Sequence, residues 1–219
     1  MVVEDNRRPI SQRERGWAKA LTRVLAKSTI TPNQISASSM VFAALGGACF
    51  AASGLATNAI DRVLVLLGAA LFCQLRLLAN MLDGMVAVEA GKGAPDGAVW
   101  NELPDRFADI FIIVGAGYGV AALGLADASL GWAAALAAVM TAYVREVARG
   151  AGAPADFSGP MAKPHRMFVL TMAALISTLE PLWNWRGETL HAALWIVAIG
   201  ATLTALNRAR RALAHLHKR

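Results

Sequence analysis

Apolar residues run along this chain in six long stretches, roughly 35–56, 63–88, 104–124, 127–148, 166–184 and 189–209, parted by gaps holding Gly, Pro, Asn and Asp. Each stretch approaches the ~20 residues a helix needs to cross a bilayer, and the gaps carry the residues that end helices. Ahead of the first, residues 8–28 are basic, with Trp17, Leu21, Val24 and Leu25 at helical spacing. Such an amphipathic segment lies in the membrane interface with its apolar face down. The pattern predicts an all-α integral membrane protein: six transmembrane helices preceded by an interfacial helix, in one domain over 1–219. No internal repeat or low-complexity segment interrupts it.

Composition strengthens the membrane reading. Of the 219 residues 56% are hydrophobic, and mean hydropathy is +0.46; soluble domains run nearer ~45–50% apolar. The net charge of +6 would suggest nucleic acid in a soluble protein. Here it marks the cytoplasmic face and contact with anionic headgroups, and no nucleic-acid partner is expected. With the N-terminus inside, the arm, the loops near 89–106 and 145–166 and the tail are all cytoplasmic. Only Arg62 and Arg186 of the 21 Lys and Arg then fall outside. The tail "NRARRALAHLHKR" is expected to continue the last helix at headgroup level. The charged first 19 residues lack an early apolar core, so no cleavable leader is expected. Cys49 and Cys73 lie inside apolar runs without metal or redox spacing and read as core residues.

Charged groups within or at the ends of spanning helices are costly, which makes them functional candidates. The second stretch ends "RLLANMLDG", with Asn80 and Asp83 three apart on one helical face. The third begins "NELPDRFAD", with Asn101, Asp105 and Asp109 at i, i+4 and i+8. The short loop between these helices predicts antiparallel neighbours whose polar faces converge near the cytoplasmic surface. Oxygen donors of this kind suit Mg²⁺ or Mn²⁺, and Mg²⁺ works together with substrate phosphates. Gly84, Gly91, Gly93 and Gly97 leave room for backbone and phosphates to approach. Arg76, one turn before Asn80 inside a span, is expected to pair with a carboxylate or a phosphate. Read singly, each of these residues could equally cap or anchor a helix end.

Residues 80–105 resemble the signature of the CDP-alcohol phosphotransferases, D-x2-D-G-x2-A-R-x8-G-x3-D-x3-D. Without a gap, the eight positions hold Asn80, Asp83, Gly84, Ala87, Val88, Gly97, Asn101 and Asp105. Five match; the first and third aspartates are asparagine and the arginine is valine. Using Asp105 and Asp109 as the last pair would need four extra residues. "TPNQIS", Thr31–Ser36, is similar to the family's T-P-N element, and "SGPMAKPHR", 158–166, to the basic loop after its fourth helix.

The resemblance implies a transferase of phospholipid synthesis in the inner membrane, active at the cytoplasmic face with both termini inside, and a homodimer. A CDP-linked lipid donor, CDP-diacylglycerol first, would pass a phosphatidyl-type group to a small polar alcohol and release CMP. It implies Mg²⁺ or Mn²⁺ at Asn80, Asp83, Asn101 and Asp105, and Asp105 as the base for the attacking hydroxyl. Asn33, Gly84, Ala87 and Gly97 would meet the CDP and phosphate groups together with Arg76. Arg145, Arg149, Lys163 and Arg166 would hold a phosphorylated acceptor. The asparagines make the site two charges less negative, with Glu102 and Asp109 as candidate compensating acids. Two other readings stay open: a relative that binds CDP-lipid without turnover, and a small transporter or assembly subunit.

Overall fold

The computed structural model describes residues 15–89, 91 and 95–218, apart from the side chains of Glu89, Ala98 and Asn101. Helices run α1 Gly16–Lys27, α2 Pro32–Leu55, α3 Ala59–Glu89, α4 Gly97–Ala122, α5 Ser129–Gly150, α6 Lys163–Ser177 and α7 Glu188–Leu216, with a 3-10 turn at Glu180–Trp183. No strand occurs among the described residues. Among the described residues four helices are long and apolar enough to cross a membrane: α2, α3 (over Ala59–Val88), α5 and α7. In α4 the last 18 residues include Asp105, Arg106 and Asp109, and α6 has 15 residues.

Local chemistry sets the boundaries. The Thr31 hydroxyl accepts the Gln34 N–H while the Gln34 side chain accepts the Thr31 N–H, and Pro32 opens α2. This capping box satisfies two of the donors that a helix start leaves bare. The fifth apolar stretch ends as a helix at Ser177, short of the expected 184. The chain turns there through Glu180–Trp183, with Asn184 (φ 58°) and Gly187 (φ 115°) left-handed. The last helix continues to Leu216 and takes up the basic tail, as expected. Within the predicted 8–28 segment, 8–14 lies outside the described residues. The rest packs on α3 through Ala18 and Thr22, and Trp17 and Val24 face away from the bundle.

Glycines decide the packing. A Cβ on Gly47 of α2 would sit 2.2 Å from the Phe111 carbonyl oxygen, and one on Gly115 of α4 2.2 Å from that of Gly47. One turn-pair further, a Cβ on Gly54 would lie 2.1 Å from the Gly119 carbonyl oxygen. The α2 and α4 backbones therefore touch, as small residues allow in membrane bundles. On its other side α2 meets α3, where Gly46 faces Phe72. The expected convergence of the polar faces of α3 and α4 is present, but the two are not packed neighbours: α2 lies between them, and they meet through polar side chains. Gly117 and Gly131 bring α5 against α4 in the same way.

At the other end of α3, Arg62 Nη2 donates to Glu180 at 2.8 Å. Glu180 also accepts the N–H groups of Gly187 (2.7 Å) and Thr189 (2.9 Å), and none of it is exposed. Burial alone would raise its pKa, but Arg62 and these N–H donors outweigh it and hold the carboxyl below the ordinary glutamate range.

Candidate active site

The end of α3, the start of α4 and the start of α6 bring the polar residues together. Arg76, fully buried, donates from Nη2 to Asp109 Oδ1 at 3.0 Å, and at 3.4 Å to both the carboxylate and the backbone carbonyl of Asp105. Arg166 donates to Asp109 Oδ2 at 2.5 Å, to the Met161 carbonyl at 2.9 Å and to the Thr141 hydroxyl at 3.3 Å. Lys163 donates to both Asn80 Oδ1 and Asp105 Oδ2. Arg106 stands 3.8 Å from Asp105. Asp83 turns the other way, accepting the Ser36 hydroxyl of α2 at 2.6 Å and the Gly84 N–H at 2.5 Å.

Arg76 meets carboxylates, as its place inside a span suggests. Among the described residues its Nε and Nη1, and Nε of Arg166, are buried without a partner. Bare buried N–H groups of a cation are costly, so the cluster is short of acceptors and suits an anionic ligand. Neither candidate compensating acid is free. Glu102 accepts Arg106 at 3.0 Å and Arg145 at 2.5 Å, and Asp109 is held between Arg76 and Arg166. The Asn101 side chain and Gly93 lie outside the described residues. Asn33 donates to Asp96 at 3.3 Å; Gly84, Ala87 and Gly97 are half-buried, and a Cβ on Gly97 would meet nothing within 4 Å.

No group of three or more His, Cys, Asp or Glu able to hold a metal occurs among the described residues. The oxygens of Asn80, Asp83 and Asp105 are of the kind Mg²⁺ or Mn²⁺ takes from a protein when phosphates complete its shell. In this structure Lys163 lies between Asn80 and Asp105, and Asp83 is turned to Ser36 and Gly84.

Of the four basic residues read as acceptor-binding, Lys163 and Arg166 face the acids, and Arg149 is exposed against Glu146 at 3.4 Å. Only Arg145 reaches the adjoining cavity of about 370 Å³, which Asp156, Arg208, Arg211 and His215 also line. Arg145 lies 4.8 Å from the Phe157 ring and donates to Glu146 at 2.7 Å. Arg208 donates to the carbonyls of Ser158 (2.9 Å) and Thr141 (2.7 Å), and Arg211 to Asp156 at 2.7 Å. Burial would raise the Asp156 pKa, but the Ser158 and Arg211 bonds prevail and lower it. Sequence reasoning missed Ser36, Arg208 and Arg211. Arg208 carried a usable signal, because it lies inside the last apolar stretch just as Arg76 lies inside the second.

No family model matches the chain. It is similar to the phosphatidylinositol phosphate synthase of Mycolicibacterium smegmatis, 34% identical over 137 residues, 60% of this chain and 59% of that protein. The inner membrane protein YnbA of Escherichia coli is 28% identical over 191 residues, 86% and 87% of the two chains. The chain spans a little under three fifths of the length of the curated synthases it matches. Crystal structures of the Mycobacterium tuberculosis phosphatidylinositol phosphate synthase share its fold at 22% identity. The complex with manganese and citrate gives a TM-score of 0.72 over 89% of this chain and 88% of that one. The form with CDP-DAG bound gives 0.72 over 88% and 92%. These comparisons bear out the resemblance to the CDP-alcohol phosphotransferases that residues 80–105 carry.

Proposed function

We propose that this protein is a CDP-alcohol phosphotransferase of phospholipid synthesis, moving a phosphatidyl group from CDP-diacylglycerol to a polar alcohol and releasing CMP. The observation that carries the reading is that Asp105, at the motif's spacing from Asp83 and Gly84, sits in a cluster of Arg76, Arg106 and Lys163. The relatives and the shared fold support the same chemistry.

Asp105 takes the proton from the acceptor hydroxyl. The freed oxygen then attacks the β-phosphorus, forming one P–O bond as the bond to CMP breaks, and CMP leaves with that electron pair. Arg76, reaching both the side chain and the backbone of Asp105, holds the carboxylate in place. Asn80, Asp83 and Asp105 would hold a Mg²⁺ or Mn²⁺ ion, which when bound neutralises phosphate charge and favours in-line displacement. Arg145, Arg208 and Arg211 face the acceptor cavity and suit an alcohol that itself carries a phosphate. In this reading α4 and α6 complete six spans, the site and both termini face the cytoplasm, and the enzyme works as an inner-membrane homodimer. The density of basic residues at that end supports the orientation.

The test is CMP release from CDP-diacylglycerol by the purified protein with Mg²⁺ or Mn²⁺ and a panel of plain and phosphorylated alcohols. Release with at least one acceptor, lost by about 10²–10⁴-fold in Asp105→Asn, is expected for a general base. No release with any acceptor while CDP-diacylglycerol still binds would replace the transferase reading with a lipid-binding protein.

A further inference from the structure

Lys163 is the first residue of α6, and its ammonium bridges Asn80 on α3 and Asp105 on α4. Its side chain is only 16% exposed. One internal cation thus joins the first and last positions of the motif. Three features make this a fitted seat and not a surface ion pair. The Asn80 oxygen accepts without adding charge, so this pair of ligands brings one negative charge to meet one ammonium. Around Asp105 and Asp109 stand Arg76, Lys163 and Arg166, with Arg106 shared between Asp105 and Glu102, so the carboxylates are already matched by cations before any metal arrives. Finally, every nearby carboxylate is already engaged: Glu102 by Arg106 and Arg145, Asp109 by two arginines, Asp83 by Ser36 and Gly84.

We infer that Lys163 is a resident cation of the site that competes with a divalent metal for Asn80 and Asp105. The metal enters only as Lys163 withdraws. The flexible four-carbon stem of lysine permits that movement, and an arriving phosphate offers the ammonium a new partner. Metal and anionic donor therefore bind together, each weakly alone. The inference rests on the proposed function for placing a metal here, but its readout is independent of turnover.

The experiment is Mn²⁺ titration of the purified protein in detergent without nucleotide, following free Mn²⁺ by electron paramagnetic resonance. Lys163→Met and Lys163→Gln remove the charge, and each is expected to bind Mn²⁺ at least about tenfold more tightly than the parent, since one like charge beside the ion is gone. Lys163→Arg keeps the charge and is expected to bind as weakly as the parent. Adding Asp105→Asn to Lys163→Met should abolish the gain, which locates it at this seat. The idea is overturned if either neutral variant, eluting and melting as a folded protein, gains nothing. It is equally overturned if Lys163→Arg gains as much as Lys163→Met, or if the gain survives Asp105→Asn. Tightened Mn²⁺ binding without CMP release would sink the transferase reading and leave the resident cation standing. CMP release without tightening would do the reverse.

Discussion

Asp109 shows how much one buried carboxylate holds. It is 1% exposed and receives Arg76 from α3 and Arg166 from α6. Removing one partner from a buried ionic group leaves uncompensated charge, which costs about 3–5 kcal/mol. Asp109→Asn should therefore lower stability by that order, read as a fall in unfolding midpoint in detergent. A midpoint equal to the parent's would mean that water already screens these arginines. The sequence placed Asp109 one turn beyond Asp105 and offered it as a compensating acid. What it could not supply was the partner, because Arg166 lies 57 positions away and only the folded bundle brings it there. Spacing along one helix is legible; contacts between helices that share no pattern are not. For the same reason Ser36 beside Asp83 went unseen, while Arg76, whose isolation inside an apolar run demanded a partner, was read correctly.

Among the elements, α4 carries the catalytic candidate and is positioned by glycine. Its Gly115 and Gly119 lie against α2, and Gly117 against α5. A Cβ at Gly115 would fall 2.2 Å from a backbone oxygen, which no rotamer change relieves. Gly115→Val should cost about 1–3 kcal/mol or more by overpacking and should also disturb turnover by moving Asp105. Gly97 is the contrast, with open space around it: Gly97→Ala should change stability by no more than about 0.5 kcal/mol. Its CMP release should nonetheless fall if phosphate approaches there. Both are checked by pairing unfolding curves with CMP release, and a tolerated Gly115→Val would refute the close seam. Helix order and most boundaries were legible because apolar runs and turn residues mark them. The place of α2 between α3 and α4 was not: a short loop brings helix ends together without saying what lies between their bodies, and these glycines looked like any others in apolar sequence.

Across the whole molecule α3 joins two ionic clusters, one at Arg62 near its start and one at Arg76 in its second half. The two arginines are 14 residues apart, about 21 Å of helix. The distal cluster predicts a pH dependence. Glu180 has its folded pKa depressed, so its contribution is present above the unfolded value, near ~4.3, and is lost as pH falls through the folded one. The parent's unfolding temperature should drop on acidification below that range, and Glu180→Gln should lack that part of the drop. Parallel curves for the two proteins would show that the clamp adds nothing. The Arg62–Glu180 pair also bears on how the protein is made. Its two halves are 118 residues apart in the chain, so Arg62 enters the membrane long before its carboxylate has been synthesised. The newborn α2–α3 hairpin must therefore keep that guanidinium at the water's edge. Only when the turn after α6 emerges can the arginine be sealed away, which makes locking the bundle a late event in biogenesis.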